Sequence, residues 1–357
     1  MLDEETGEVS GMLPPDGSRR VARQTSIKDI ARLAHVSHST VSRALQNSPL
    51  VNPRTAENIR KIAAQAGYHA SAVARGLVTR RSRTIGLVVT TAADPFTSEV
   101  FSGIEQEAHD RGYCVFLAES KADPESEKNV VQTFAERRVD GIIITSSRVG
   151  ALYPPLLSEM MVPIVLVNNQ HPGSFVHSVM IRNQEGGRAA ASHLIELGHR
   201  RIAYLGDQTG YQSEAERCAG YREALEAAGI EFIPELVVQG DGKPEGGVYT
   251  MDQVLALPHP PTAVCCYNDM TALGAMRSIC LHGLRVPEDI SVVGFDDLFF
   301  ASYTQPPLTT IRQPMQRMGQ LAMESLFKLM SGDTSEIRIK VDAELIVRES
   351  TARARTA

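Results

Sequence analysis

Residues 26–55 read S-I-K-D-I-A-R-L-A-H-V-S-H-S-T-V-S-R-A-L-Q-N-S-P-L-V-N-P-R-T, and the rest of the chain is organised around this stretch. Ser26 is placed to cap a helix, with Asp29 three residues on completing a capping box. Ile27, Ile30, Ala31 and Ala34 then fall on one helical face. His35 and Val36 make a tight turn, after which Ser37 caps a second helix whose Val41, Ala44 and Leu45 point inward. That leaves His38, Ser39, Ser42 and Arg43 on the outward face, with Thr40 at its edge. Two short helices joined by a few residues, the second polar and partly basic outside, describe a helix-turn-helix. Asn52-Pro53 opens a third helix, with Ile59, Ile62, Ala63 and Ala66 as its buried stripe and Gly67 as its end.

The charge distribution agrees. Residues 19–83 hold 13 Lys/Arg against 2 Asp/Glu, a balance of +11, while residues 1–18 carry −5. With a net −6 overall, residues 84–357 are left with −12. An acidic protein that concentrates its positive charge in its first quarter has the asymmetry that phosphate-backbone binding requires. The competing explanation is a three-helix packing module whose arginines form a solvated face. Caps, turn, helix lengths and charge together favour a DNA-binding module.

At these residues a specific resemblance emerges. The run T-S-I-K-D-I-A-R-L-A-H-V-S-H-S-T-V-S-R-A-L at 25–45 resembles the opening of the lac/galactose repressor family of bacterial transcription regulators. The likeness continues in V-N-P-R-T at 51–55, S-A-V-A-R-G-L at 71–77, D-G-I-I-I at 140–144 and G-H-R-R-I-A-Y-L-G at 198–206. Y-N-D-M-T-A-L-G-A at 267–275, V-P-E-D-I-S-V-V-G-F-D-D at 286–297 and P-P-L-T-T-I-R-Q-P at 306–314 extend it. The resemblance implies an all-α helix-turn-helix headpiece followed by an α/β two-lobe effector domain. That domain would be type I periplasmic-binding-protein-like, with parallel doubly wound sheets and a chain that crosses between lobes three times, near 178–183, 296–304 and 309–314.

The expected organisation is a disordered tail at 1–24, a DNA-binding domain at 25–69, a hinge at 70–83, a two-lobe effector and dimerisation domain at 84–347, and a C-terminal tail at 348–357. The N-terminal residues are acidic, then Pro/Gly/Ser-containing, then basic, without a sustained apolar period. No segment has the length and apolarity of a signal peptide or a membrane span, so a soluble, cytoplasmic protein with no membrane partner is expected. The resemblance makes 70–83 a segment that becomes a short helix on operator DNA, with Leu77 wedged in the minor groove. Such a wedge unstacks a base step. Ala70, where many relatives have proline, and Gly76 both weaken that helix. The five cysteines (Cys114, Cys218, Cys265, Cys266 and Cys280) lack a C-x-x-C pair and read as reduced packing residues.

From Thr84 onward short apolar runs, such as Ile85–Val89, Ile202–Leu205 and Ser291–Phe295, alternate with amphipathic segments at 97–111, 125–138, 185–197, 214–228 and 269–282. Alternation on this scale argues for parallel sheets covered on both faces, and the length for two lobes. Ligands of such sheets bind at the carboxyl ends of strands. Asp94-Pro95-Phe96, Asn168-Asn169, Asn268-Asp269 and Asp296-Asp297 stand just past strand ends. By resemblance, Arg217 and Asp296 grip an effector's polar groups, Asn268 matches the asparagine of sugar-responsive members, and Phe96 lies near the cleft mouth. With Asn168, these suit a polyhydroxy compound, since paired hydroxyls can accept from guanidinium and donate to carboxylate. Each also has a duller explanation: Asn268 and Asp296 as helix caps, Arg217 as the partner of Glu214. Tyr211 and Gly242 stand where purine-responsive relatives place polar or stacking groups, which counts weakly toward a sugar.

No G-x-S-x-G, H-E-x-x-H, phosphate-cradling or dinucleotide-binding motif occurs, and the ten histidines are scattered without a matching acid cluster. Neither an enzyme nor a metal or cofactor site is expected. The expectation is a homodimeric transcriptional regulator, a repressor, on a pseudo-palindromic duplex operator, controlled by a small polar metabolite such as a sugar. Arg43, His38 and Ser39 would reach base edges, while Ser37, Thr40, Ser42, Asn47 and Arg54 would contact phosphates or cap. The alternatives are a periplasmic-type solute receptor and a regulator that needs a co-repressor.

Overall fold

A computed structural model describes residues 25–45, 47–68, 81–149, 162–170 and 177–355. The chain divides into two compact units, one ending at Arg80 and the other beginning at Arg81. The expected 1–24 tail and the hinge residues 70–80, Leu77 among them, lie outside the described residues.

Among its described residues the first unit has three helices: α1 (Ile27–Leu33), α2 (His38–Leu45) and α3 (Pro53–Gln65). The capping box forms, with Ser26 Oγ accepting from the Asp29 N–H and the Asp29 carboxylate accepting from the Ser26 N–H at 3.0 Å. Thr40 N–H donates to Ser37 Oγ at 3.1 Å, and Arg54 N–H donates to Asn52 Oδ1 at 3.0 Å, so each helix start satisfies an otherwise unpaired donor. Ile30, Val41, Ala44 and Ile59 are fully buried and form the core where the three helices meet.

The second unit contains two six-stranded sheets. One is built from β1 (Thr84–Val89), β2 (Cys114–Glu119), β3 (Gly141–Thr145), β4 (Ile164–Val167), β5 (His177–Ile181) and β11 (Ile337–Val341), in the order β11-β5-β4-β3-β1-β2. The other holds β6 (Ile202–Asp207), β7 (Val237–Gly240), β8 (Ala263–Cys266), β9 (Ser291–Asp296), β10 (Thr309–Arg312) and β12 (Glu344–Ile346), in the order β12-β10-β9-β8-β6-β7. All pairings are parallel except β10 with β12. Strands of continuous apolar residues, such as β1 and β3, are buried on both faces, as parallel sheets under helices demand.

Among the described residues the covering helices are α4 (Pro95–Asp110), α5 (Pro124–Glu136), α6 (Asn183–Glu196), α7 (Gln212–Ala227), α8 (Pro244–Leu255), α9 (Asp269–Leu281) and α10 (Met315–Met330). Three helix pairs pack backbone to backbone through reciprocal glycines. A Cβ at Gly103 or Gly319 would meet backbone of α10 or α4, one at Gly187 or Gly220 backbone of α7 or α6, and one at Gly247 or Gly274 backbone of α9 or α8, all at 2.0–2.2 Å.

Three details depart from the sequence-based expectation. The chain passes between sheets after β5, after β10 and between β11 and β12, so 296–304 is not a crossing. Both strands flanking that segment, β9 and β10, belong to one sheet, and the third passage falls at 342–343 instead. Residues 348–355, read as the first part of a polar tail, are stitched to the second sheet. Ser350 is fully buried, exchanging bonds with Val292 and accepting from the Thr309 N–H at 2.8 Å. Cys114 and Cys280 are exposed and not packing residues, whereas Cys265 and Cys266 are buried, and all five are free thiols.

Candidate functional site

Two surfaces carry the residues singled out from the sequence, one in each unit. On α2, His38, Ser39 and Arg43 are exposed, while Thr40 and Ser42 are half-buried. Ser37 Oγ lies 2.8 Å from both Ser39 Oγ and Thr40 Oγ1, so the start of the helix presents a cluster of hydroxyls. Asn47 adopts φ +56 in the turn after α2, and its Oδ1 accepts from Arg60 Nη2 at 2.9 Å. This tether ties the turn to α3. Arg60 was not anticipated, since nothing in its spacing marks a partner 13 residues away. Arg54 is exposed in the first turn of α3.

In the second unit the carboxyl ends of both sheets open onto one cavity of ≈ 840 Å³. Phe96, Asn168, Arg217, Asn268 and Asp296 all line it. Phe96 follows the N-cap Asp94, whose Oδ1 accepts its N–H at 3.0 Å, and its ring is part of the core under β1. Asn168 ends β4 with φ +52, which an asparagine tolerates better than most residues. Asn268 does fill the helix cap, accepting from the Thr271 N–H at 2.8 Å, and its Nδ2 donates to the Gly242 carbonyl at 2.9 Å.

Arg217 and Asp296 form the centre. Arg217 is 3% exposed and does not pair with Glu214. That carboxylate instead accepts from Tyr204 Oη at 2.9 Å and Gln239 Nε2 at 3.2 Å. The Arg217 guanidinium stacks 3.6 Å from the Phe295 ring centroid, donates Nε to Asn183 Oδ1 at 3.0 Å and Nη1 to the Tyr267 carbonyl at 2.6 Å, and lies 3.8 Å from Asp296 Oδ1. Burial pushes the Asp296 carboxyl up to about 7, with Arg217 and the Gln313 amide opposing the shift. Asp94 and Asp207, also on the cavity wall, are raised by burial as well.

The backbone holding Asp296 is unusual. Asp296 and Asp297 have φ +127 and +60, a conformation costing on the order of 1–3 kcal/mol per residue unless its surroundings enforce it. Asp269 enforces it: fully buried, it accepts from the Leu298 N–H at 2.8 Å and Thr310 Oγ1 at 2.5 Å. Asp297 is held in turn by Arg312 at 2.7 Å and Arg348 at 2.6 Å. Asp269 thus positions the site without facing it.

Gln313, Asp207, Gln170, Tyr267 and Arg148 complete the picture and were not singled out. Gln313 and Asp207 were within reach of the same rule, being polar residues at strand ends. Gln170 and Arg148 bridge the lobes, which no linear spacing reports. Gln170 Oε1 accepts from the Ser213 N–H at 3.0 Å, and Arg148 donates to the Ala122 carbonyl at 3.3 Å, donates to the Thr209 carbonyl and lies over the Tyr211 ring. Among the described residues no helix is long and apolar enough to cross a membrane.

Comparison with known proteins agrees with this geometry. Residues 26–71 match the model for bacterial regulatory proteins of the lacI family, and residues 191–351 that for a periplasmic binding protein-like domain. The chain is 35% identical over 329 residues to the HTH-type transcriptional repressor PurR of Aliivibrio fischeri, covering 91% of this chain and 98% of that one. A structure of the lac repressor dimer bound to operator and the anti-inducer ONPF superposes with TM-score 0.84 at 30% identity, over 92% of this chain and all of that one. The transcriptional regulator CelR in complex with cellobiose gives TM-score 0.70 at 34% identity, with the same coverage. A helix-turn-helix followed by two lobes around a polar cleft, shared with these relatives along nearly its whole length, makes this chain a member of the lacI family of bacterial regulatory proteins.

Proposed function

We propose that this regulator represses transcription as a homodimer on a two-fold operator and releases it when a small polar, sugar-like effector occupies the cleft. One observation carries the reading: a single cavity at the carboxyl ends of both sheets gathers an arginine, a carboxylate, amides and an aromatic. Arg43, His38 and Ser39 read base edges, while Ser37, Thr40, Asn47 and Arg54 hold register on phosphates. Ser42, half-buried, supports that face. Leu77 serves the hinge. One helix-turn-helix covers only a half-site, so two copies are needed. The lac repressor structure, a dimer on operator, supports this arrangement. Phe116 and Leu117, exposed on the edge strand β2, offer apolar surface for the second copy.

Phe96, Asn168, Arg217, Asn268 and Asp296 bind the effector. The cleft draws on both lobes, so a ligand there favours one lobe arrangement and shifts the population of operator-competent dimers. Titrating an operator complex with candidate sugars tests this. Loss of operator affinity on saturation supports the inducer reading, and tightening overturns it.

A further inference from the structure

The chain enters the second unit through a clamp. Ser82 and Arg83, just past the boundary between the units, are both held by one carboxylate, that of Asp140. Its Oδ1 accepts from the Ser82 N–H at 2.7 Å and from the Ser82 hydroxyl at 2.9 Å, and its Oδ2 accepts from the Arg83 N–H at 3.0 Å. The Asp140 N–H in turn donates to the Thr84 carbonyl at 2.8 Å, and the Arg83 carbonyl accepts from the Cys114 N–H at 3.0 Å. These bonds keep Arg83 at φ +53, a conformation that residues other than glycine seldom adopt. Strand β1 is already fixed by its ladders to β2 and β3, so the work of the clamp falls on the chain before it. Asp140 stands directly before β3 and Arg83 directly before β1. The carboxyl ends of these two paired strands run into Thr90, Thr91 and Ser146 on the cleft wall, and Arg148, which bridges to the other lobe, follows β3. Both strands are packed in the core and move as rigid pieces, so a shift of the first lobe at the cleft carries the clamp with it.

We infer that Asp140 is a positioning residue for DNA recognition: it fixes how the chain leaves the first lobe toward the helix-turn-helix, and so the separation at which a dimer presents its two reading helices. The inference rests on the homodimeric reading proposed above. Paired half-sites are matched only when both modules are carried at one spacing. A tether freed at its root lowers the effective concentration of the second module at its half-site once the first is bound. Affinity for DNA of any sequence comes instead from basic side chains meeting phosphates, and these remain when Asp140 is changed. Loss of the clamp therefore costs specific binding and relaxes the preferred spacing, while general affinity for DNA stays.

The test begins by letting the full-length protein enrich a two-fold duplex from random sequence; enrichment of none would defeat the regulator reading rather than this one. Anisotropy titrations then compare wild type, Asp140→Ala and Asp140→Asn on that operator, on a copy with its half-sites one base pair further apart, and on random duplex. Asp140→Ala is expected to weaken operator binding about tenfold or more and to shrink the preference for the original spacing about threefold or more, with random-duplex affinity undiminished. Asp140→Asn keeps an oxygen for Ser82 but turns an amide nitrogen toward the Arg83 N–H, so it should fall between the two. It carries the test should the alanine variant fail to fold. Operator affinity and spacing preference equal to wild type in a folded variant overturn the inference. So does an equal loss on operator and on random duplex, which is what a merely structural role would give.

Discussion

Asp296 shows how one residue serves structure and site together. Its carboxyl is buried beside Arg217, and its proton is held to about 7, well above the ordinary 3.8. The sign of the consequence follows from linkage. Between those two values the folded protein binds a proton that the unfolded chain has released, so this group's contribution to stability falls as pH rises from 3.8 to about 7, then stays flat. Asp269, also raised well above 3.8 by burial and by the Asp296 charge, adds to the same trend. Asp296→Asn should therefore flatten the dependence of the melting temperature on pH between 5 and 7, as read by scanning calorimetry, while weakening effector binding. An unchanged slope would mean the carboxyl is not held protonated. At the other site, Arg43→Ala removes a guanidinium from the exposed face of α2. We expect a loss of about 1–3 kcal/mol in operator binding, with discrimination relaxed at one base position per half-site. Anisotropy titrations against operators varied base by base measure both effects. These residues were legible because position identified them: an outward face on a capped helix, or the first polar side chain past an apolar strand. Asp269 was named only as the neighbour of Asn268, since its work is done through Leu298 and Thr310, partners 29 and 41 residues away.

At the scale of elements, the cleft depends on helices that approach more closely than side chains ordinarily allow. A Cβ on Gly187 would lie 2.2 Å from the Arg217 carbonyl oxygen, so α6 rests on the very turn of α7 that presents the guanidinium. Gly187→Ala should push α7 outward, destabilise the protein by about 1–3 kcal/mol, and weaken effector binding out of proportion to the methyl added. Denaturant unfolding and calorimetric titration of the same variant separate the two effects; intact effector affinity would show that the helices can part without moving Arg217. Apolar periodicity marked the helices well, α7 at Gln212–Ala227 against an expected 214–228. It did not mark β5, β7, β10, β11 or β12, strands of three to five residues, of which β11 (I-R-I-K-V) alternates polarity at a sheet edge. Their places are set by partners distant in sequence, as Arg338 is by Ser178.

Across the molecule, three passages between the sheets and side-chain bridges such as those of Arg148 and Gln170 govern how the lobes meet. Arg148 reaches from the first lobe to the Thr209 carbonyl and the Tyr211 ring of the second. Removing it as Arg148→Ala should raise the population of opened lobes, giving a larger radius of gyration without ligand by small-angle scattering and a weaker apparent effector affinity. The two-lobe architecture could be foreseen from strand–helix alternation and family resemblance, whereas the third crossing at 342–343 could not, since both strands it joins are short edge strands.

The central claim is that a ligand held by Arg217 and Asp296 resets the grip of α2 on operator DNA. The most direct measurement is operator affinity, against random duplex competitor at moderate salt, with and without a sugar that binds the cleft, for wild type and for Arg217→Ala. The account predicts that wild type prefers operator and loses that preference when the sugar saturates, and that Arg217→Ala prefers operator but no longer responds. No preference for operator in wild type, or the same response in the variant, would contradict it.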